Sequence, residues 1–469
     1  MRIIDFDIMQ ATTTEIKPVS QPLYYQQFPK KIIPIAIIGS GMAGIAVAHE
    51  LKNRRISQFH IFESKNDGLE GPWPNARMKT LRSGKDLTGP ALLDNALSFK
   101  SWFLKTYSEE KWNSIIKASV TDWMDYLKWL KLELQLPISY NYRLENIEVK
   151  EEFTKLTFYD ENSNEPKFIK VERVILATGR DGFGGLEIPS FLQNIPKTLW
   201  SHSQQTIDVD NLKGKKVAIL GCGASAFDAA ATLLEKNVGE IHFIIRRGEL
   251  PTKNRFVFFY KAEVLENYNL FSDEEKIELI SKAKKSGIPP PPESIDRISQ
   301  FSNVYFHYNR SIEICTNNEK TVSFTYSDNS YAEFDFIVAA TGFAIEISNQ
   351  PELKSIWDKV KLWKHIYPDQ ANSPIGNYPY LDKTFHLQSN DKSVSLSSIY
   401  LFNIAVILSH GLVAADIPGI HVGAKKIVDQ ISYEKFKNEK SINILEFNNN
   451  QKDIDLTNYP ILKHEYVSL

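Results

Sequence analysis

Cysteine is nearly absent. Cys222 and Cys315 are the only two in 469 residues, and they lie far apart. Two thiols so placed give no disulfide framework, no Cys-x-x-Cys redox pair and no metal-ligand spacing. No metal is expected, and a reducing cytoplasm is the expected compartment. An excess of one charge is also lacking. The formal net charge is −2, which excludes the basic footprint of a nucleic-acid-binding protein. No apolar run is long and clean enough for a membrane span. The most apolar long stretch, residues 399–415, is broken by Asn403, Ser409, His410 and Gly411. Near the N-terminus stand Asp5, Asp7 and Glu15, where a signal peptide would carry a basic region and then an apolar core. No solenoid-type repeat is visible. What remains is 42 % hydrophobic and 24 % charged, the balance of a soluble globular chain. Its length suffices for two or three domains with cores of their own.

Two glycine-rich turns stand out against this background. Gly39-Ser40-Gly41-Met42-Ala43-Gly44 follows the apolar run 32–38, and Gly221-Cys222-Gly223-Ala224-Ser225-Ala226 follows Lys216-Val217-Ala218-Ile219-Leu220. Each sits where a buried parallel strand should turn into a helix. The first glycine permits the tight turn, the second lets backbone approach a pyrophosphate, and the third small residue lets helix pack on strand. The helix N-terminus then offers free N–H groups to phosphate. One such turn is a weak signal, because small residues also serve plain helix–strand packing. Two in one chain suggest two dinucleotides and electrons passing between them.

The end of the next strand distinguishes the two sites. Beyond the first turn, the strand 58–62 ends in Glu63, with Ser64 after it. An acidic residue about 20 residues beyond the turn accepts hydrogen bonds from ribose hydroxyls and repels a 2′-phosphate, so this site fits FAD or NAD. Beyond the second turn, the strand 240–245 ends in Arg246-Arg247. A guanidinium fork there matches a 2′-phosphate, so this site fits NADPH. The competing readings are a solvated strand end for Glu63 and a surface ion pair for the arginines.

The order of segments predicts an α/β fold with two Rossmann-like dinucleotide-binding domains, the second inserted into the first. An irregular extension covers residues 1–31. The FAD-binding domain takes residues 32–208 and 335–436. The NADPH-binding domain takes residues 209–334, with a helical insert at 255–302. A tail, mobile or covering the surface, takes residues 437–469. Residues 90–132 read as helices whose aromatics are mostly core. Strand groups end in two alike turns, Ala177-Thr178-Gly179 and Ala340-Thr341-Gly342. Such a turn places backbone near a cofactor or is simply a tight turn.

The paired glycine turns and the two Ala-Thr-Gly turns resemble the flavin-containing monooxygenase superfamily over residues 32–432. That superfamily comprises single-component NADPH-dependent flavoproteins: flavin-containing monooxygenases, Baeyer–Villiger monooxygenases and amine N-hydroxylases. Gly71-Pro72-Trp73 resembles the Gly-x-Trp segment that lies near FAD there. Lys85-Asp86-Leu87 resembles the Lys-Asp-Leu of ornithine and lysine N-hydroxylases, and His410-Gly411-Leu412 their His-Gly-Leu. The resemblance implies FAD and NADPH as cofactors and dioxygen as co-substrate, with oxygen transferred from a peroxide on the reduced flavin. It implies cofactor contacts at Trp73, Thr178, Gly179, His202, Thr341, Gly342, Asn403, Gly411 and Leu412. It implies catalytic roles for Lys85, as a cation near flavin or substrate, and for His410. Lys85 also reads as a solvated helix-start lysine, and His410 as a helix-start residue.

The departures bear on substrate. The Baeyer–Villiger signature is degenerate around His202-Ser203, with Pro196, Thr198 and Thr206 at its other positions. Amino-acid N-hydroxylases have Phe-Val-Asn-Glu where this chain has Phe256-Val257-Phe258-Phe259, and a serine where it has Pro418. Both changes remove polar anchors. Phe258 and Phe259 are therefore expected at a rather apolar substrate pocket; the alternative is that Phe258 packs in the core. The expectation is oxygen transfer to a small apolar molecule, of Baeyer–Villiger type, in bacterial specialised metabolism. N-hydroxylation of an amine comes next, then a flavoprotein oxidase or an NADPH-dependent reductase without oxygen insertion. A disulfide reductase would need a dithiol that the chain lacks. No membrane or nucleic-acid partner is expected, and homo-oligomerisation stays open.

Overall fold

In a computed structural model of the protein, residues 32–449 are described, apart from 88 and 92. The expected extension 1–31 and the last part of the tail, 450–469, lie outside the described residues. The chain enters through β1 (Ile33–Ile38), turns into α1 (Met42–Asn53) and returns as β2 (Phe59–Phe62). Both strands are continuous apolar runs, the pattern of parallel strands covered on both faces.

Three helices come next: α2 (Phe99–Thr106), α3 (Glu109–Ser114) and α4 (Val120–Glu133), each opened by a serine whose side chain accepts an N–H of the first turn. Such caps satisfy donors that the helix itself cannot. Phe99, Trp102, Phe103, Trp112, Trp123 and Tyr126 from these helices are buried together, as the sequence suggests.

The strands β3 (Ile138–Ser139), β4 (Tyr142–Val149), β5 (Thr154–Asp160) and β6 (Glu165–Gly179) complete most of the first sheet. Its order is β3-β2-β1-β6-β5-β4. The long β6 changes neighbours along its length. Its first half pairs antiparallel with β5, and its second half pairs parallel with β1.

A short β7 (Gly184–Leu186) and β8 (Trp200–His202) lead to the second unit. It contains β9 (Lys216–Leu220), α5 (Ala224–Leu234) and β10 (Glu240–Ile244). The helical insert holds α6 (Ala262–Asn267), α7 (Asp273–Ser286) and α8 (Pro292–Ile298). The strand β11 (Val304–His307) then precedes an antiparallel sheet of β12 (Ile312–Asn317), β13 (Val322–Tyr326) and β14 (Tyr331–Phe334). The chain returns through β15 (Phe336–Ala339) and β16 (Phe343–Ile345). The second sheet is parallel, in the order β11-β10-β9-β15-β8.

That order corrects the expected domain boundaries. The sequence reading puts residues 200–202 and 336–339 in the first domain, but β8 and β15 hydrogen-bond within the second sheet. Apolar strands read alike in sequence whichever sheet they join. The last strand, β17 (Ile399–Asn403), pairs with β6 and adds a seventh strand to the first sheet. A single helical turn, α9 (Ile407–His410), and the long α10 (Ile420–Asn449) close the described chain. The first part of the expected tail, residues 437–449, is thus a continuation of α10.

Candidate dinucleotide cradles and the cavity between them

The first glycine turn has the geometry its sequence requires. Gly39 has φ +103°, a conformation open to glycine, and a β-carbon there would lie 2.6 Å from the Ala177 carbonyl oxygen. A β-carbon on Gly44 would collide with the Gly39 carbonyl, so that glycine lets α1 sit on the strand end. Gly41 is different. Its φ is ordinary and a β-carbon there would meet nothing within 4 Å. The space beside Gly41 is a cradle that a side chain would fill. The buried Glu63 braces the turn from the end of β2: Oε2 accepts from the Ser40 amide at 2.8 Å, and Oε1 from the Lys65 amide at 3.0 Å. Ser64 donates its hydroxyl to the same carboxylate at 3.3 Å.

The second turn repeats the design. Gly221 has φ +116°, with Ala340 carbonyl oxygen 2.7 Å from a β-carbon placed there, and Gly223 again faces open space. α5 begins at Ala224. The Ser225 hydroxyl accepts from Gln204 at 3.3 Å, and the Thr341 hydroxyl donates to the Glu187 carbonyl. Beside it, Gly342 takes φ +93°. Both arginines after β10 are exposed. Arg247, however, donates to the carbonyls of Lys285 and Ser286 at 2.8 and 2.9 Å. It caps the end of α7, a contact that Arg246 does not make. Sequence inspection could not separate them, because the α7 carbonyls come from a distant segment.

A cavity of about 980 Å³ opens from the first cradle toward the second unit. Of the residues singled out in the sequence, Gly39, Gly41, Met42, Ala43, Glu63, Ser64, Trp73, Thr178 and Gly179 line it. Ser40 and Gly44 are not among the lining residues. The open backbone at Gly41 and the accepting carboxylate of Glu63 fit the pyrophosphate and ribose of a dinucleotide.

Several expected residues are not part of that lining. Lys85 lies in a 3-10 turn, donates to the Trp112 carbonyl and sits 4.8 Å over the Trp112 ring. Its charge is thereby spent on packing the aromatic helices. His410 is buried, its ring stacked 3.8 Å from Phe385, and burial pushes its pKa down to about 3. It is a neutral core residue. Gly411 is turned inward, where a β-carbon would lie 3.1 Å from Tyr268, and Leu412 is core. Asn403 acts one step removed from the cavity, donating to the Thr178 hydroxyl at 3.0 Å and accepting from the Ala405 amide at 3.0 Å. His202 is buried in β8, with its pKa lowered to about 4 chiefly by burial, and its Nδ1 accepts from the Gln204 amide.

Phe258 and Phe259 also miss the cavity. Phe259 is buried, and Phe258 packs on it and on Phe271. The reason is the local helix type. Residues 255–260 form a 3-10 helix, which repeats every three residues. Asn254, Val257 and Tyr260 therefore share one face, and that face lines the cavity. Sequence reasoning missed these three, for which the three-residue spacing was the available signal. It also missed Arg180, Gln204 and Gln205, which reach the cavity from loops. Of the residues that follow His410-Gly411-Leu412, 414–416 do line it, together with Ile417 and Pro418.

No group of three or more His, Cys, Asp or Glu side chains suited to a metal occurs among the described residues. No helix among them is long and apolar enough to cross a membrane.

Comparison with known proteins agrees with this geometry. The FAD-dependent urate hydroxylase of Xanthomonas campestris pv. campestris is 27 % identical over 417 residues, covering 87 % of each chain. The solved ornithine hydroxylase PvdA of Pseudomonas aeruginosa superposes with TM-score 0.69 at 16 % identity, covering 85 % of this chain and 98 % of that one. The Kutzneria sp. 744 ornithine N-hydroxylase, solved with reduced FAD, NADP+ and L-ornithine, gives 0.69 at 15 % identity, covering 86 % of this chain and all of that one. These structural likenesses establish a shared fold. The family model described as pyridine nucleotide-disulphide oxidoreductase matches residues 36–296, over half of the chain, and the protein belongs to that family.

Proposed function

We propose that the protein is an FAD- and NADPH-dependent monooxygenase acting on a small, rather apolar molecule. The observation that carries this reading is the pair of open glycines, Gly41 and Gly223, each beside a helix N-terminus, with one cavity reaching from the first cradle to residues of the second unit. FAD, when bound, supplies the two-electron and dioxygen chemistry. The residues 39–44 hold its pyrophosphate, and Glu63 accepts from its ribose hydroxyls. Trp73, Thr178 and Gly179 wall the path beyond. Residues 221–225 and Arg246 hold NADPH, and Arg247 braces the loop that carries Arg246. Leu186, Val257 and Phe343 add apolar side chains to the cavity lining.

The family name includes disulphide chemistry, but Cys222 and Cys315 are both outside the cavity lining and no dithiol is available to it. Within oxygen transfer, the urate hydroxylase similarity favours hydroxylation of a nitrogen heterocycle. Baeyer–Villiger oxidation is the second reading, favoured by those apolar side chains. The test is to purify the protein, measure bound FAD, and follow NADPH and oxygen consumption with a panel of heterocycles, cyclic ketones and amines. Substrate-stimulated NADPH oxidation with an oxygenated product supports the proposal, and the product's connectivity separates a hydroxylated ring from an expanded ester. Flavin-free protein, or NADPH oxidation yielding only peroxide with every class, would overturn it.

A further inference from the structure

Three side chains from distant parts of the chain meet at the cavity wall. Arg180 comes directly after the Thr178-Gly179 turn at the end of β6. Tyr260 ends the 3-10 helix of the insert. Asp416 precedes α10. All three line the cavity. Asp416 Oδ1 accepts from the Arg180 guanidinium at 3.3 Å, and Oδ2 from the Tyr260 hydroxyl at 3.3 Å. Both contacts are long, and each oxygen keeps a lone pair for another donor.

We propose that Asp416, Arg180 and Tyr260 form the substrate-recognition edge of this site, reading a ring that presents an N–H donor beside a carbonyl acceptor, as in a lactam, imide or cyclic ureide. The inference rests on the oxygenase reading of the cavity and names its substrate class.

Asp416 is not consumed by the fold. It occupies the N-cap position of the 3-10 turn Ile417–Gly419, yet its side chain accepts none of that turn's N–H groups. Capping is the usual reason for an aspartate in such a place, and here it is absent. Burial pushes the Asp416 pKa up, and Arg180 offsets this in part. The Tyr260 hydroxyl is likewise held in its neutral form by burial and by the neighbouring Asp416 charge. Asp416 is half-buried at the cavity wall, and a carboxylate so placed gains from a further donor.

The chemistry of the pair sets the ligand. A carboxylate only accepts, and a guanidinium only donates. Side by side they complement an N–H next to a C=O. A neutral ring can use the remaining lone pairs and N–H groups without separating the ion pair. A zwitterionic amino acid would bring two more charges out of water to reach the same groups, which is costly. Val257, one 3-10 turn before Tyr260, and Ile417 and Pro418, next to Asp416, supply apolar surface for the faces of such a ring.

The experiment uses the FAD-loaded protein, with hydantoin, uric acid and 2-pyrrolidinone as probes beside 1,3-dimethylhydantoin, cyclopentanone and L-ornithine. Equilibrium binding is read by calorimetry and by perturbation of the flavin absorption band, and turnover by coupled NADPH oxidation. At least one N–H/C=O ring should bind, and blocking its N–H by methylation should weaken it about tenfold or more. Asp416→Asn should raise Kd and KM for that ring by about tenfold, with kcat changed far less and with FAD content and spectrum unaltered. Tyr260→Phe, a milder change should Asp416→Asn fail to fold, should weaken binding by a few-fold. Preference for L-ornithine or cyclopentanone over all three rings would overturn the inference while leaving the oxygenase reading intact. So would indifference to N-methylation. Loss or spectral shift of FAD in Asp416→Asn with unchanged ring affinity would assign the edge to the flavin instead, and also overturn it. Wild-type protein that binds no FAD would sink the oxygenase reading itself.

Discussion

Gly39 lies so close to Ala177 that a β-carbon on the glycine would stand 2.6 Å from the alanine carbonyl oxygen. The second unit repeats the arrangement, with Gly221 against Ala340 at 2.7 Å. In both sheets the strand that ends in Ala-Thr-Gly runs parallel to the strand that ends in the glycine turn. Ile38 pairs with Leu176, and Leu220 with Ala339. The two Ala-Thr-Gly turns are alike because each ends a strand against a glycine-only turn. This divides the glycines into those needed for the fold and those left open for a ligand.

The division gives a clean prediction for the first cradle. Gly39→Val should fail to fold or lose several degrees of melting temperature, since a β-branched side chain at φ +103° combines backbone strain with a collision. Gly41→Val should melt close to FAD-free wild type, because nothing lies within 4 Å of its β-carbon, and should be purified without FAD. Thermal unfolding together with flavin absorbance reads both. Stoichiometric FAD in folded Gly41→Val would remove the basis for the first cradle.

For the nicotinamide, the two arginines should part company. Arg246→Ala is expected to raise KM for NADPH far more than for NADH, a loss of about 2 kcal/mol for a charge-assisted phosphate contact. Arg247→Ala should act on both coenzymes alike and lower stability, because it releases the Lys285 and Ser286 carbonyls at the end of α7. Steady-state kinetics with both coenzymes checks this. Equal behaviour of the two variants would show that neither is specific for the 2′-phosphate.

The parts of the site that are legible in sequence are those written locally. A buried strand, a glycine turn and an acid at the next strand end fall within one βαβ unit, and positive φ leaves its mark as glycine. Lys85, His410 and Phe258 rest on short resemblances, and their surroundings come from elsewhere in the chain. Trp112 claims Lys85, Phe385 claims His410, and Phe271 claims Phe258. The meeting of Asp416 with Arg180 leaves no local signal, because they lie 236 positions apart. The second sheet is misdivided in sequence for the same reason, since pairing of β15 with β9 and β8 is a long-range choice.

Phe258 offers a direct comparison with its neighbour. Phe258→Asn places an amide among Phe259 and Phe271 and should cost about 2–3 kcal/mol of stability, without granting turnover of ornithine. Val257→Asn, facing the cavity, should leave stability nearly unchanged and alter substrate affinity. Chemical denaturation and coupled NADPH oxidation report the two effects. Ornithine turnover gained by Phe258→Asn would return that residue to the pocket.

A last prediction concerns pH. His386 is buried beside the Tyr400 ring, between Asp382 at 3.0 Å and Glu434 of α10 at 3.1 Å. Glu434 also accepts from Tyr400 and Arg173. Burial opposes the histidine charge, but the two carboxylates outweigh it and raise its pKa to about 9. A histidine whose pKa rises on folding stabilises the protein fully below its unfolded value, near 6.5, and loses that contribution as pH climbs through about 9. The shift corresponds to about 2–3 kcal/mol, reduced from the full linkage value because Asp382 is partly open to solvent. Asp382 and Glu434 are both lowered to about 2, so their share is present above the ordinary carboxylate range and lost as pH falls through about 2. Stability of the wild type should therefore decline between pH 6.5 and 9 with a slope that His386→Gln largely removes. The variant should be less stable than wild type at pH 6 and close to it at pH 9.5. Denaturant unfolding at four or five pH values across that window measures the slope, and a parallel decline in wild type and variant would show that the His386 charge does not tie this segment to α10.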